Sequence, residues 1–314
     1  MKSIILHIIT GQTASGKSAV AFEIAKQTGT EIICIDSMKI YRGMDIGTAK
    51  PTPRERETVR YHLLDIAQPR EDFSTAKFVK HVQAAIADIN SRKLPVLLEG
   101  GTPLYLKAIT EGIFKGPPRD PVMRAKLKER AALEGPESLH KELSSIDPDA
   151  AKRIAKQDIR RIIRALEVYY KTGRPISELQ TQFGERCAKY DRRIAALRHE
   201  REYLRRRIEE RIDRMFKDGL VEEARTLEGW NPGKTASQAI GYLEARKLAA
   251  GEITEDEAKS EIRRRTWQLA RRQMTWLRSF PDIVFYDVPP GEEPAATAKA
   301  VRAILRLKQN EEMA

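Results

Sequence analysis

The sequence predicts an α/β fold in which helices cover a parallel β-sheet. Short, apolar, β-branched runs alternate with helical stretches, a glycine-rich loop joins the first such pair, and a long charged region with helical spacing follows. Strands that alternate with helices favour a parallel sheet. Because ligands bind at the carboxyl ends of the strands in such sheets, polar loops that follow different strands are expected to meet at one edge.

The first third of the chain supplies most of the predicted sheet. Residues 3–10 form a continuous apolar run typical of a buried strand, and residues 18–29 have helical spacing and end at Gly29, a suitable C-cap. A second buried strand at 31–36 ends at Asp36. The remaining predicted elements are a strand at 62–67, a helix at 74–93, a strand at 94–102 and a late strand at 282–288.

The character of the sequence changes at the proline-rich segment 114–121. From there to about residue 280 nearly every stretch is charged and has helical spacing, and the strand at 282–288 is expected to return to the sheet. A length of 314 residues fits two domains, or one large domain with an insertion.

Composition and charge limit the class of protein. Hydrophobic residues make up 41% of the chain, which excludes wholesale disorder. The net charge of +12 favours a polyanionic partner, with nucleic acid ahead of an anionic membrane surface. Cys34 and Cys187 lack metal-site spacing, and we find neither a signal peptide nor an apolar run of about 18 residues. We therefore predict a cytoplasmic protein without a membrane span.

The segment GQTASGKS, residues 11–18, has the full P-loop pattern between a strand and a helix. The glycines let backbone N–H groups face anionic oxygens, and the following helix adds the positive end of its dipole. Lys17 is expected to reach the terminal phosphates, and the hydroxyl of Ser18 to bind Mg²⁺. The pattern predicts phosphate binding but does not specify which phosphate compound is held.

Asp36 ends the strand next to the P-loop strand, and three roles compete for it. It could bind Mg²⁺, it could take a proton from an acceptor nucleophile, or it could cap the helix that follows. Gly43 and Gly47 indicate a loop laid over the site.

The segment LLEGGT places Thr102 at a third strand end. Glu99 stands where P-loop enzymes often have a second acid associated with Mg²⁺. A strand that ends in a tight glycine turn without chemistry explains the local pattern equally well.

Basic side chains dominate one face of the segment 152–171. Its apolar residues fall on one helical face and its cations on the other, and acids are nearly absent, which favours an RNA contact over internal salt bridges. Internal salt bridges explain the segment 192–214 better, because Glu and Asp occur there at spacings that pair with Arg. The arginines of 262–278 could face RNA or the acids of the core domain.

Six segments occur in a characteristic order: GQTASGKS, DSMKIYRGMDIGTAKP, EGGTPLYLKA, DIRRIIRALEVYYKTGRPISEL, RIEERIDRMFKDGLVEE and QAIGYLEA. Together they resemble the bacterial tRNA dimethylallyltransferase family, from about residue 6 to about residue 280. The resemblance implies a P-loop kinase-like core, residues 1–116 and 198–314, with a helical insertion, 117–197, that grips the anticodon stem-loop of tRNA. It implies that the P-loop holds dimethylallyl diphosphate rather than ATP. The prenyl group would pass to N6 of the adenosine just 3′ of the anticodon.

The resemblance also assigns roles to individual residues. It implies Mg²⁺ as the cofactor, held by Ser18, and we expect a monomer. Asp36 would be the general base, with Thr102 near the reacting adenine and Lys17 at the diphosphate. The diphosphate contacts would be Gly11, Thr13, Ala14, Ser15, Gly16, Lys17 and Ser18, with Arg207 and Arg211 as a second clamp. The tRNA contacts would be Asp36, Ser37, Met38, Lys39, Thr102, Arg124, Arg160, Arg161, Ile162, Ile163 and Arg164.

Four positions depart from the pattern of the family it resembles. Gln12 replaces a usual Pro, Lys39 replaces a usual Gln, Glu99 stands where an apolar residue usually precedes the glycine pair, and Leu243 stands where some relatives carry Arg. None of these changes removes a catalytic group.

Two other functional classes use the same P-loop. A small-molecule kinase would consume ATP without tRNA, but the GGT and DSMKIY segments are not its usual markers. An RNA-binding NTPase with a regulatory P-loop would give Asp36 and Thr102 no role.

Overall fold

The computed structural model describes residues 3–112, 114, 116–180, 190–227, 229 and 231–308. Cys187 lies outside these residues. The chain divides into two compact units, which we call the core unit, Met1–Thr110 with Ala188–Ala314, and the inserted unit, Glu111–Cys187. In the described ranges no helix is both long enough and apolar enough to cross a bilayer.

The described residues of the core unit form one six-stranded, all-parallel sheet, so the predicted fold class is confirmed. The strands are β1 (Ile4–Gly11), β2 (Glu31–Cys34), β3 (Tyr61–His62), β4 (Val96–Glu99), β5 (Tyr190–Arg198) and β6 (Ile283–Asp287). Their order in the sheet is β3-β2-β4-β1-β5-β6. The P-loop strand β1 therefore lies in the interior of the sheet, between β4 and β5.

Helices cover both faces of this sheet. The helices of the core unit are α1 (Lys17–Thr28), α2 (Pro53–Thr58), α3 (Thr75–Ser91), α4 (Pro103–Thr110), α10 (Arg201–Lys217), α11 (Leu220–Thr226), α12 (Tyr242–Ala249), α13 (Glu255–Leu277) and α14 (Pro294–Leu305), with a 3₁₀ turn at Ala236–Gln238. Local signals fix several ends, as Ser74 and Thr254 accept the N-cap hydrogen bonds of α3 and α13.

Alternate residues of the strands enter two hydrophobic clusters, one on each face of the sheet. Ile9, Leu97 and Leu197 pack with α1 and α14, whereas Leu6 and Leu98 face the larger cluster that includes α3, α4 and α10 to α13. A sheet that is covered on both faces requires strands that are apolar throughout. This requirement is why the predicted strands appeared as continuous hydrophobic runs.

Strand β5 contradicts the prediction of helical structure through this region and of an insertion that ends at 197. Tyr190–Arg198 instead pairs with β1 along its whole length. Only the short run from Ile194 to Leu197 is buried, and the charged Arg192 and Arg193 before it interrupt the apolar pattern typical of a buried strand. Arg192 is held by the carboxylate of Asp282 at 2.8 Å, so its charge is satisfied within the core unit. The boundary drawn by the structure consequently precedes the strand.

The strand predicted at 62–67 is also shorter than expected. Pairing with β2 stops at His62, because Leu63 and Asp65 have positive φ angles of 65° and 56°, which an extended strand cannot contain. The other predicted strands lie where expected, within two or three residues at their ends.

The inserted unit is helical, as predicted. Its helices are α5 (Pro121–Glu134), α6 (Pro136–Ile146), α7 (Pro148–Arg153), α8 (Ile159–Thr172) and α9 (Ile176–Leu179). They enclose a separate hydrophobic cluster that includes Leu139, Leu143 and Leu166.

Candidate active site

The carboxyl ends of the central strands meet at one edge of the sheet, as predicted. Glu99 of β4 lies level with Ile9 of β1 and with Cys34 of β2. A Cβ atom at Gly100 would lie 2.4 Å from the carbonyl oxygen of Ile35, so only glycine permits this approach. The polar residues that follow the three strands are therefore forced into one small volume.

The P-loop has the shape that an anion cradle requires. Gly11 and Gly16 have φ angles of 149° and 87°, which are accessible to glycine, and α1 begins at Lys17. A Cβ atom at Gly11 would lie 2.7 Å from the carbonyl oxygen of Leu197. The backbone N–H groups at the start of α1 are thus directed to the mouth of the loop, together with the positive end of the helix dipole.

Helix α13 holds this loop through glutamine side chains. Oε1 of Gln273 accepts a hydrogen bond from the backbone N–H of Thr13 at 2.8 Å, and its Nε2 donates to the carbonyl of Gly101 at 2.7 Å. Gln12 donates to the carbonyl of Ala270 at 3.0 Å. Gln273 therefore ties the P-loop to the loop that follows β4.

A side chain of α10 and one that precedes this helix fix the opposite side of the loop. Nε of Arg207 donates to the carbonyl of Ala14 at 2.8 Å, and Nε2 of His199 donates to the carbonyl of Ser15 at 3.0 Å. Burial lowers the pKa of His199, so a neutral imidazole provides this hydrogen bond. The predicted clamp residue Arg207 thus lies at the P-loop and also shapes it.

Lys17 faces the same volume and is short of negative partners. Its Nζ donates to the carbonyl of Gln12 at 3.2 Å. Burial lowers the pKa of Lys17, and the carboxylate of Glu99 offsets this effect only in part. A bound anion would favour the charged form of the ammonium group, as expected for a phosphate-binding lysine.

Ser18, Glu99 and Lys39 form a triangle of two hydrogen bonds and one ion pair next to Lys17. The hydroxyl of Ser18 donates to Oε1 of Glu99 at 2.9 Å and accepts from Nζ of Lys39 at 3.0 Å. Nζ of Lys39 lies 3.5 Å from Oε2 of Glu99. Burial alone would lower the pKa of Lys39, but nearby anions, above all Glu99, outweigh it and raise the pKa, so the ammonium is charged.

The donor set at this triangle fits a divalent cation. The Ser18 hydroxyl and the Glu99 carboxylate are hard oxygen ligands of the kind that Mg²⁺ takes from a protein, with phosphates and water completing its shell. Ser18 was predicted as a metal ligand, and Glu99 lies beside it.

Asp36 ends β2 on the neighbouring side of the cavity. Its Oδ1 accepts hydrogen bonds from the backbone N–H groups of Met38 at 2.8 Å and Lys39 at 3.3 Å. The next helix begins only at Pro53, so Asp36 does not cap a helix as the sequence allowed, and its Oδ1 instead fixes a turn. These bonds leave Oδ2 unengaged by any residue in the described part of the chain, so the same carboxylate can also act as a base.

Thr102 and Ser37 lie together in the lining of the cavity. Oγ1 of Thr102 accepts from the backbone N–H of Ser37 at 3.1 Å and lies 3.4 Å from the Ser37 hydroxyl. The predicted site residues of strands β2 and β4 are thus in direct contact.

A cavity of about 1030 Å³ joins these groups. Its lining includes Lys17, Asp36 and Thr102, and Arg211 of α10 reaches it from the other side. Burial lowers the pKa of Arg211, and the charges of Asp36 and Glu99 oppose this effect. The predicted second clamp residue therefore shares the cavity with the predicted base.

Glu223 of α11 holds the loop that covers the site. Its carboxylate accepts from the backbone N–H groups of Asp45, Ile46 and Gly47 at 2.9, 2.7 and 3.1 Å, and from the hydroxyl of Tyr242 at 2.7 Å. A Cβ atom at Gly47 would lie 2.6 Å from the Tyr242 ring, which explains the glycine. The loop that the sequence predicted is therefore fixed by one carboxylate.

Two of the four candidate tRNA-contacting arginines of the inserted unit are engaged by a buried carboxylate. The buried carboxylate of Glu167 binds Arg124 through two hydrogen bonds of 2.8 and 2.7 Å, and it binds Arg164 at 2.6 Å. Internal salt bridging, which the scarcity of acids had argued against, therefore engages Arg164. Arg160 and Arg161 are exposed.

Two predicted tRNA contacts conflict with the structure. Ile162 and Ile163 are 0% and 3% exposed and belong to the hydrophobic cluster of the inserted unit. Because they lie on the packing face of α8, their side chains are unavailable to RNA. The prediction had extended over a continuous segment without regard to its two faces.

Three residues that shape the site were absent from the predicted set. His199 and Gln273 act on the P-loop from segments that precede α10 and end α13, and no local pattern identifies them. Glu223 lies in the segment RIEERIDRMFKDGLVEE, which supported the family resemblance, so that segment carried a signal.

Comparison with known proteins identifies relatives along most of the chain. The family model for IPP transferase matches residues 39–280. A tRNA dimethylallyltransferase from Geobacter metallireducens is 46% identical over 291 residues, which cover 90% of this chain and 93% of that protein. Another from Thermomicrobium roseum is 44% identical over 283 residues, with coverages of 89% and 85%.

Solved structures agree with these relatives. The full-length tRNA isopentenylpyrophosphate transferase from Bacillus halodurans aligns over 97% of both chains, with a TM-score of 0.68 and 34% identity. A eukaryotic dimethylallyltransferase acting on tRNA gives a TM-score of 0.79 at 26% identity, over 99% of this chain and 82% of that chain.

We expect Glu223→Gln to lower the free energy of unfolding by about 2 kcal/mol, because the amide cannot accept the same set of charge-assisted hydrogen bonds. Urea unfolding at pH 7 measures the change. Glu222→Gln is the matched control, since Glu222 is an exposed neighbour paired at the surface with Arg225. Equal midpoints for the two variants would show that Glu223 does not hold the loop.

Glu167 should make the stability of the protein depend on pH. Its pKa is lowered to about 2. Burial raises the pKa, but hydrogen bonds from the side chains of Arg124 and Arg164 and from the backbone N–H of Asp120 outweigh that effect. A carboxyl group whose pKa is lower in the folded than in the unfolded state stabilises the fold when the pH is above the unfolded-state pKa. This stabilisation is lost as the pH falls through the folded-state pKa, here between about pH 5 and pH 2. We expect this contribution to be about 3 kcal/mol.

Urea unfolding of full-length wild type and Glu167→Gln at pH 7 and pH 3 tests this expectation. The variant should be less stable at pH 7, and the difference should shrink at pH 3. Glu178→Gln, in the same unit but exposed, should behave as wild type. A constant difference between wild type and Glu167→Gln at both pH values would contradict the assignment.

Proposed function

The chain belongs to the IPP transferase family, and we propose that it transfers the dimethylallyl group of dimethylallyl diphosphate to N6 of the adenosine that follows the anticodon of tRNA. Its relatives in this family are tRNA dimethylallyltransferases. The observation that carries the proposal is one cavity that combines a P-loop and its cations with the carboxylate of Asp36.

The cations of the site suit the departure of a diphosphate. The bond between C1 of the allylic group and its oxygen breaks, and the leaving diphosphate takes the electron pair. The N–H groups of the P-loop, with Lys17, Arg207 and Arg211, are placed to stabilise the negative charge that develops. Hydrogen bonds from Arg207 of α10 and to Gln273 of α13 fix the P-loop backbone before the reaction, so its N–H groups need little rearrangement.

Asp36 is suited to receive the proton of the acceptor. The lone pair of N6 is shared with the adenine ring, so the amine is a weak nucleophile and its proton must leave as the C–N bond forms. Oδ1 is held by the turn at Met38 and Lys39, which orients the carboxylate and leaves Oδ2 for the proton. Thr102, at the adjacent strand end, is positioned to contact the base.

Mg²⁺, when bound, would neutralise charge on the diphosphate as a Lewis acid, and Ser18 and Glu99 are the residues that would hold it.

The adenine must leave its stack to reach Asp36. A base extruded from an RNA loop is a common target of proteins, with phosphate contacts supplying much of the affinity. The cavity of about 1030 Å³ is large enough for a prenyl diphosphate together with a purine. Arg160 and Arg161 are candidate phosphate contacts in the inserted unit.

Mass analysis of tRNA nucleosides after incubation with dimethylallyl diphosphate and Mg²⁺ tests the proposed reaction. The expected product is N6-isopentenyladenosine. ATP consumption without tRNA, and no prenylated nucleoside, would favour the small-molecule kinase instead.

We expect Asp36→Asn to reduce the rate of prenyl transfer about 100- to 10,000-fold, because the amide cannot take the proton. Binding of tRNA and of pyrophosphate should persist, which calorimetry can verify. Asp256→Asn makes the same chemical change at an exposed position in the first turn of α13 and should leave the rate unchanged. Full activity of Asp36→Asn would exclude Asp36 as the base.

A further inference from the structure

Lys39 occupies an unusual place for a residue of the substrate loop. Its ammonium group is directed into the protein, where it donates to Ser18 at 3.0 Å and lies 3.5 Å from the Glu99 carboxylate. The side chains of Lys39 and Glu99 are only 7% and 2% exposed. A lysine charge therefore lies at the corner of the site that offers oxygen ligands to a metal.

The backbone fixes this arrangement. The N–H of Lys39 donates to Oδ1 of Asp36, so the turn at the end of β2 sets where the lysine side chain begins. Glu99 ends β4 and is level with Cys34 of β2, so the two side chains arise from neighbouring strand ends. Lys39 and Glu99 are also two of the four positions that depart from the pattern described above. The two departures are therefore partners in one buried ion pair.

We propose that Lys39 is a built-in cation of the diphosphate site, which makes diphosphate binding less dependent on a divalent metal. The inference rests on the proposed function, because it takes the diphosphate to lie in the P-loop. A fixed positive charge next to Ser18 attracts the anion in the absence of metal. The same charge neutralises Glu99 and repels a divalent cation that approaches the Ser18 and Glu99 oxygens, so it weakens metal binding to the free enzyme.

Removal of the charge should change two affinities in opposite directions. In Lys39→Gln, the Kd of inorganic pyrophosphate in EDTA should rise about tenfold, and the Kd of Mn²⁺ for the enzyme without pyrophosphate should fall about tenfold. Calorimetry of the full-length protein measures the first quantity, and electron paramagnetic resonance of free Mn²⁺ measures the second. Neither measurement depends on catalysis.

Lys247→Gln is the charge-matched control. Lys247 lines the same cavity but is exposed, so its removal should change both affinities less than twofold. If Lys247→Gln shifts both affinities as far as Lys39→Gln does, the effect is one of general charge and the inference fails.

A second pair of variants guards against misfolding, since Lys39→Gln leaves a buried carboxylate without its partner. Glu99→Gln should bind pyrophosphate more tightly than wild type in EDTA, and Lys39→Gln/Glu99→Gln should bind it about tenfold more weakly than Glu99→Gln. The single and double variants differ only at position 39. Both carry Gln at position 99, so neither has a buried carboxylate left without its lysine partner.

The outcomes separate the inference from the function on which it rests. Wild type that binds no pyrophosphate, with or without Mg²⁺, would overturn both the proposed P-loop site and the role of Lys39. Wild type that binds pyrophosphate, with unchanged affinities when Lys39 is replaced in either background, would overturn the inference alone.

Discussion

An excess of positive charge in a partly buried cavity is the constraint on which the site depends. Three cations, Lys17, Lys39 and Arg211, line it together with the carboxylate of Asp36. The carboxylate of Glu99 contacts Lys39 from behind, and Arg207 lies at the adjoining P-loop. Burial lowers the pKa of Lys17 and of Arg211, which shows that the local anions do not fully compensate these two groups. In the proposed reaction, the diphosphate supplies the missing negative charge. Under this proposal, binding the substrate relieves an electrostatic imbalance that folding created, and the diphosphate would leave from a site that is already organised for its charge.

The loops of such a cavity must be held in place by surrounding residues, because electrostatic repulsion between like charges tends to push the loops apart. The bracing groups are neutral or are fully engaged in hydrogen bonds: Gln273 joins the loops after β1 and β4, and Glu223 secures the loop that contains Gly47. These groups belong to helices that follow the inserted unit in sequence, whereas the P-loop, Asp36 and Thr102 precede it. The site is consequently complete only when the two sequence-distant halves of the core unit have come together, with β5 pairing to β1 across the insertion.

Much of the core was predictable because its physical causes are local. Strands β1, β2 and β4 are buried on both faces, so they must be apolar runs, and parallel pairing brings their polar ends to one edge. Strand β5 was not predictable in this way, because Arg192 is neutralised by Asp282, 90 residues away. The same limit applies within the site. The strand ends identified Asp36, Glu99 and Thr102, but contacts such as those of His199 and Gln273 depend on tertiary packing and leave no periodic pattern.

The basic residues of the sequence likewise fall into two groups, paired and unpaired, that only the three-dimensional structure distinguishes. Along α13, Arg263, Arg264 and Arg265 pair with Glu209, Glu261 and Glu244, whereas Arg271, Arg272 and Arg278 have no acidic partner within the described ranges. The sequence left the arginines of this helix divided between RNA and the acids of the core. The structure divides these arginines by position: those in the first half of α13 are paired with acids, and those towards its end are exposed. Arg124 and Arg164 similarly neutralise Glu167, while Arg160 stays exposed one turn away from Arg164. A count of basic residues therefore overstates the charge available to a polyanion, since only the exposed, unpaired arginines offer their full charge to phosphates.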